Sequence, residues 1–374
     1  MSIWRRFDYL LLGTTILLVI YGIMMIASAT NGAIAPELIS RVPNQIQFAI
    51  MGFTLMFILT LVDYRMLGAL HGWLYLLMVG MLVMVIFFGT EGDGGARRWI
   101  NIGILIQPSE IGKIIILITL GHHLSQRYEK MDSMWTVLGS LAHMSVPVLL
   151  IFLQPDLGTT IVFMVLWSIL VWAAGLRIRH IVTFLIVFLV SAPLLWSVMQ
   201  PYQRERITNF LGVGTGNAQT DEEAAAELQG SLYNIRQAEI SIGSGGLLGK
   251  GYMNGTQSQL RFLRVRHTDF IFSVVAEEFG FVGGVSVMLL IGFVIFRILR
   301  GARLAADPLG SMICYGVAGM IFFQTVVSIG MNLGLLPVTG LTLPFISSGG
   351  TSLLATLAGI GLAQSVIVRR RRFE

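Results

Sequence analysis

Charge is what this chain has least of: Asp, Glu, Lys and Arg together make up 12% of its 374 residues, against 55% apolar residues. So little charge excludes an ordinary soluble domain and points to a polytopic membrane protein. Cysteine is nearly absent. Cys314 stands alone in an apolar run, which excludes a disulfide framework and leaves the redox compartment unreadable. No polar stretch is long enough for a separate soluble domain, so residues 1–374 are read as one transmembrane domain. Internal repeats are lacking too, and with them the sequence signature of a two-fold transporter. The net charge of +5 is not a nucleic-acid signal, because most basic residues fall in short loops on one side of the membrane.

What is present is a series of apolar windows. They predict an all-α fold with spans near Tyr9 to Ser28, Ile46 to Val62, Met66 to Gly89, Pro108 to Leu124, Met134 to Leu153, Leu157 to Gly175, His180 to Met199, Phe270 to Leu299, Pro308 to Leu333 and Ser348 to Val368. Each is near the ~20 residues a bilayer requires. The first window follows Arg5 and Arg6 and ends in a mimic of a signal-peptidase site, Ala27-Ser28-Ala29. It is too long for a signal core and reads as an uncleaved first helix. Lys and Arg concentrate in loops that place both termini in the cytoplasm, which leaves the long loop of about residues 200–268 outside the cell membrane, between the seventh and eighth spans.

Four outer segments depart from plain connecting loops. The first holds Arg97, Arg98 and Trp99, then the helix start Gln107-Pro108-Ser109-Glu110 with Lys113 one turn on. Glu110 and Lys113 share a helix face and can neutralise each other in the bilayer, as a structural pair or as substrate contacts. Arg97, Arg98 and Trp99 suit the membrane interface, where Arg and Trp meet lipid headgroups. The second is Gln154-Pro155-Asp156-Leu157-Gly158, in which Asp156 is a natural helix N-cap. The third is the long loop, with Arg204 and a run of glycines around Lys250 that could let backbone approach a phosphate. The acidic stretch Asp221 to Glu227 within it reads as a solvated helix or a flexible insertion. The fourth, Asn332 to Ser352, is interrupted by Pro337, Gly340, Pro344, Gly349 and Gly350. Broken backbone at membrane depth is tolerated where it is buried in protein or lines a cavity.

The chemistry points to the mouth of the eighth span, where Arg264, Arg266, His267, Thr268 and Asp269 precede an apolar run. A carboxylate placed between cations and hydrocarbon is a candidate site. Thr268 or Asp269 could equally cap the helix. Cations beside hydrocarbon suit an amphiphile with a phosphorylated head, and one carboxylate suits a general base.

These segments carry a resemblance. G-A-R-R-W-I and Q-P-S-E-I-G-K, then Q-P-D-L-G, I-G-S-G-G-L-L-G-K-G-Y, R-H-T-D-F-I-F-S-V-V-A-E-E-F-G and P-V-T-G-L-T-L-P-F-I-S-S-G-G occur in order along the chain. Together they resemble the SEDS family (shape, elongation, division, sporulation), its elongation branch first and its division branch next. The sequence departs from the family pattern at Leu263-Arg264-Val265, where an acidic residue is usual, and at Ser347-Ser348-Gly349-Gly350, where a Tyr is common.

The resemblance implies a glycosyltransferase that polymerises lipid II into glycan strands on the outer face of the bacterial cytoplasmic membrane. It implies a class B penicillin-binding protein as crosslinking partner, besides lipid II, the nascent strand and membrane lipids. It places the essential carboxylate on Asp269 and substrate contacts at Trp99, Glu110, Lys113 and Asp156. His267, Thr268 and Ser347 fall in the same motifs. Arg97, Arg98, Lys113, Arg204 and Lys250 are candidates to offset pyrophosphate charge, and a divalent cation, Mg or Mn, could bridge that group although no ligand cluster is visible. Two other readings of a polytopic chain are a lipid II flippase, for which Glu277 and Glu278 would supply charge at depth, and a non-catalytic scaffold of the wall machinery.

Overall fold

The computed structural model describes residues 3–91, 97–101, 103–198, 222–260, 262–263 and 265–370. Its long helices are α1 (Tyr9–Ala29), α2 (Arg41–Leu61), α3 (His71–Phe88), α4 (Pro108–Ser125), α5 (Met134–Leu153), α6 (Leu157–Ala173), α7 (Ile178–Val198), α8 (Glu222–Ser244), α9 (Ile271–Arg303), α10 (Pro308–Asn332) and α11 (Gly350–Val368). All but α8 coincide with an expected span. Seven of the described helices are long and apolar enough to cross a membrane by length and composition alone, while α6 and α7 are shorter apolar segments. In α4, Glu110, Lys113, His122 and His123 dilute the apolar character. The chain is a multi-pass membrane protein.

Local chemistry explains most helix starts. Asp8, Asp156 and Asp307 are N-caps of α1, α6 and α10, each accepting a backbone N–H of the first turn, and Pro108 and Pro308 open α4 and α10. The expected span from Met66 is divided. Tyr64–Ala69 forms its own short helix and α3 begins only at His71.

The strongest layering places α11 at the axis. Of its apolar window 89% is buried, against 17% for α3, so α3 faces lipid and α11 faces protein. Glycines allow α11 and α2 to approach: a Cβ at Gly52 would stand 2.5 Å from Leu357 Cδ1, and one at Gly361 would stand 2.6 Å from the Met56 carbonyl oxygen. Small residues at such crossings let dispersion replace the missing hydrophobic drive between membrane helices.

Both chain ends meet at one end of the bundle. Asp8 accepts from Arg297 Nη2 at 2.6 Å, its backbone exchanges hydrogen bonds with the Gln364 side chain, and Arg6 donates to the Arg370 carbonyl. The termini therefore share a side, as the charge distribution requires.

Two features depart from a plain all-α reading. Arg97 to Asn101 form the middle strand of a small antiparallel sheet, β1 (Thr90–Glu91), β2 (Arg97–Asn101) and β3 (Leu105–Ile106), with Thr90 opposite Trp99 and Ile100 opposite Ile106. α9 is also not one continuous helix. Gly280 has φ 65° and ψ −162°, a conformation essentially reserved for glycine, so the helix breaks there.

Candidate active site

The break in α9 explains the glycine-rich stretch, and it does so without a phosphate. A kink at Gly280 frees carbonyls before it and N–H groups after it, which must be paired elsewhere. The stretch 246–251 supplies the partners: Lys250 and Gly251 N–H donate to the Glu277 and Glu278 carbonyls at 3.0 and 2.9 Å, while Phe281 and Val282 N–H donate to Gly246 and Leu247 carbonyls at 2.9 and 3.1 Å. Gly245 and Gly249 make this possible, since a Cβ on either would run into the carbonyl oxygens of Ala276 and Glu278. These glycines splice the loop into the helix.

Lys250 is committed to the same splice. Its Nζ lies 3.0 Å from Glu277 Oε1 and 2.7 Å from both Ser244 Oγ and Thr256 Oγ1. The other Glu277 oxygen accepts from Ser258 N–H at 3.0 Å, and the hydroxyl of Ser28 donates to Glu278. Both carboxyls are 0% exposed. The charges that a transport pathway would need at depth are thus held by the fold itself.

Asp269 stands at the N-terminal mouth of α9, before the break at Gly280. The N-cap position of α9 is Phe270, one residue beyond Asp269, and the Phe270 side chain makes no cap hydrogen bond. Asn332, at the end of α10, does the work instead. Its Oδ1 accepts from Ser273 N–H at 3.1 Å and Ser273 Oγ at 2.6 Å, and its Nδ2 donates to the Asp269 carbonyl at 2.8 Å. Asp269 itself is half-buried at the helix mouth.

The broken segment before α11 braces the same turn. Ser347 Oγ donates to the Thr268 carbonyl at 2.8 Å, and Ser348 N–H donates to the His267 carbonyl at 2.9 Å. Ser347 thus holds the turn by its backbone. His267 is buried and Thr268 half-buried. Arg266 is also buried, its Nε donating to the Ala29 carbonyl at 2.5 Å, so this cation is bound to protein and does not face a substrate.

On the other flank the segment reaches the first two motifs. Gln107 N–H donates to Thr351 Oγ1 at 3.3 Å, and Gln107 Nε2 donates to Asp156 Oδ2 at 3.1 Å. Asp156 caps α6 by accepting Thr159 N–H on Oδ1, and Arg98 Nη1 stands 3.8 Å from that same oxygen. Cap and convergence are both true of Asp156. Arg98 Nη2 donates to the Pro155 carbonyl at 2.8 Å, leaving its Nε buried without a partner among the described residues, as is Thr339 Oγ1. A Cβ at Gly158 would stand 2.5 Å from the Thr339 carbonyl, so the turn and the broken segment are in contact. Trp99 is half-buried in β2 and Arg97 exposed.

One turn into α4, Lys113 Nζ lies 2.8 and 2.7 Å from the two Glu110 oxygens, with Lys113 1% and Glu110 7% exposed. Arg204 lies outside the described residues. Among the described residues no three ligating side chains stand close enough together to hold a metal ion. The sequence reading missed Gln107, Asn332 and Thr351. Each stands at a helix end, where a polar residue reads as part of the boundary.

Broken backbone, the half-buried Asp269 and the unpartnered Arg98 Nε and Thr339 Oγ1 make this end of the helical bundle the candidate site. The chain belongs to the FtsW/RodA/SpoVE family of cell cycle proteins, matched over residues 8–372. It is 33% identical to peptidoglycan glycosyltransferase MrdB of Escherichia coli, over 97% of this chain and 95% of that protein. It is 34% identical to stage V sporulation protein E of Bacillus subtilis, over 96% of each. Among solved structures, a chain of a peptidoglycan synthase complex that coordinates polymerization and crosslinking superposes with a TM-score of 0.80 at 31% identity, over 97% of this chain and 98% of that one. The rod shape determining protein RodA of Thermus thermophilus superposes with a TM-score of 0.69 at 30% identity, over 98% of each chain.

Proposed function

We propose that this protein is a peptidoglycan glycosyltransferase of the elongation type, polymerising lipid II at the outer face of the bacterial cytoplasmic membrane. The observation that carries the reading is the placement of Asp269: Asn332 of α10, and Ser347 and Ser348 of the broken segment, fix its backbone turn at the mouth of α9, where the residue is half-buried. In the reaction, the Asp269 carboxylate takes the proton of a sugar hydroxyl on one lipid-linked disaccharide. The hydroxyl oxygen bonds to the anomeric carbon of the growing strand as the bond from that carbon to the polyprenyl pyrophosphate breaks, with inversion. General-base assistance of this kind contributes about 10² to 10⁴-fold.

The departing pyrophosphate needs donors that do not have to reorganise. Arg98, with its unpaired Nε, is the best placed of the cations, with Arg97 and Trp99 beside it on β2. Asp156 and the Pro155 carbonyl hold Arg98 in position, Gln107 holds Asp156, and Glu110 and Lys113 pair in the first turns of α4. A divalent cation, Mg or Mn, would draw most of its ligands from the pyrophosphate, as Mg²⁺ commonly does with one or two protein carboxylates.

The likeness to a peptidoglycan synthase complex and to RodA supports a class B penicillin-binding protein as the partner and elongation as the process. Incubation of the purified protein with lipid II, alone and with such a partner, tests the reading by gel separation of glycan strands. A ladder of strands is expected. Lipid II recovered unchanged in both cases would refute it.

A further inference from the structure

The opposite end of the bundle carries a concentration of charge that the polymerase chemistry does not use. The first residues of the chain, the end of α9 and the C-terminal tail enclose a cavity of about 320 Å³ lined by Arg5, Arg6, Asp8, Arg297, Arg300 and Arg370. Five guanidinium groups face one carboxylate there, a surplus of four positive charges. The carboxylate is already committed: Asp8 is 8% exposed, Arg297 holds its Oδ2 through Nη2 at 2.6 Å and Nε at 2.9 Å, and its Oδ1 caps α1 through Leu11 N–H at 3.0 Å. Arg6 draws the tail over the cavity by donating to the Arg370 carbonyl at 3.2 Å. Among the described residues, Arg5, Arg300 and Arg370 have no acidic partner. Like charges converging in one cleft require a counter-charge.

The surroundings say what kind of anion fits. Phe7 is buried and packs 5.7 Å from Trp4 and 5.2 Å from Tyr9 between ring centroids, while Trp4 and Tyr9 are 48% and 59% exposed. Exposed Trp and Tyr at the end of a membrane helix mark the level of the lipid headgroups. Leu10, also on the cavity wall, is 60% exposed and begins the hydrocarbon-facing side of α1. The cleft therefore offers cations at headgroup depth and an apolar surface immediately below. Arginines that merely snorkel spread singly along the interface, whereas these converge on a buried anchor.

We propose that this cleft binds the phosphate headgroup of an anionic phospholipid of the cytoplasmic leaflet, with an acyl chain lying along Leu10. Basic pockets between helices on this side of a membrane are suited to such headgroups. The bound lipid clamps the start of α1, the end of α9 and the C-terminal tail. It is distinct from the lipid-linked substrate, which reacts at the other face.

Native mass spectrometry of the full-length protein, delipidated and then exposed to equal amounts of phosphatidylglycerol, cardiolipin or phosphatidylcholine, tests this. Arg5→Gln/Arg300→Gln is the variant to compare, since it leaves the Asp8–Arg297 pair intact, and an unchanged melting temperature shows that it folds. The wild type is expected to retain anionic lipid over phosphatidylcholine by roughly tenfold or more, and the variant to lose most of that preference. Equal retention of the three lipids by the wild type, or the same preference in the folded variant, would overturn the proposal. Displacement of the lipid by inorganic pyrophosphate at equal concentration would overturn it in favour of a soluble anion. If the variant does not fold, Arg370→Gln alone carries the same comparison.

Discussion

Asn332 Nδ2 donates to the backbone carbonyl of Asp269 at 2.8 Å, while Asn332 Oδ1 accepts both the N–H and the hydroxyl of Ser273. One amide thus caps α9 and fixes the turn that carries Asp269.

Replacing Asn332 by Ala removes the partner of the Asp269 carbonyl and of the Ser273 hydroxyl, while Ser273 N–H keeps the Phe270 carbonyl at 3.1 Å, a loss of about 1 to 3 kcal/mol. If the residue positions Asp269, the effect falls on turnover: about 10- to 100-fold in kcat with KM little changed. Steady-state polymerisation kinetics check this, and a variant that loses thermal stability but keeps kcat would assign Asn332 to the fold alone.

The glycine splice gives a graded set of variants. Gly245→Ala and Gly249→Ala drive a methyl group into backbone carbonyls, and Gly249 also has φ 80°. Each is expected to cost more than about 1 kcal/mol of stability. Gly243→Ala, two residues away within α8, meets open space and should be neutral or slightly stabilising. Thermal unfolding in one detergent compares the three; equal effects would contradict the splice.

Much of this was legible before any coordinates. The helices follow from apolar windows, and the helix starts at Asp156 and Pro108 from local backbone chemistry. What could not be read is pairing at a distance. Lys250 looked available to a phosphate because Glu277 lies 27 residues further on, and only the break at Gly280 brings the two together. β2 was hidden for a related reason, since its neighbours are strands of only two residues each, too short for any periodicity.

Glu110 and Lys113 form a buried pair in which either member alone is an uncompensated charge. Lys113→Met should destabilise by about 3 to 5 kcal/mol, whereas Glu110→Gln/Lys113→Met removes both charges and should recover most of that loss. Melting temperatures of the single and double variants decide it. No recovery in the double variant would show that the two do not act as a pair.

At the end of the bundle where the two termini meet, Asp307 lies between α9 and α10. Burial alone would raise its carboxyl, but donors from Gly310 N–H, Tyr64 and Arg65 outweigh burial and hold it below the usual carboxylate range. A depressed folded value contributes stability that is complete above the unfolded value, near 4, and is lost as pH falls through the folded one. Wild type should therefore lose melting temperature below about pH 4 more steeply than Asp307→Asn, which should start lower at pH 7. Parallel curves would contradict this assignment.

The central claim is that Asp269 takes the proton in glycan-strand formation. Its most direct test is polymerisation of purified lipid II by wild type and Asp269→Asn, each with the penicillin-binding partner and each shown to be folded by its melting temperature. Strands from wild type and a loss of at least about 10²-fold in the variant are the expected result. Wild-type rates from Asp269→Asn would contradict the claim.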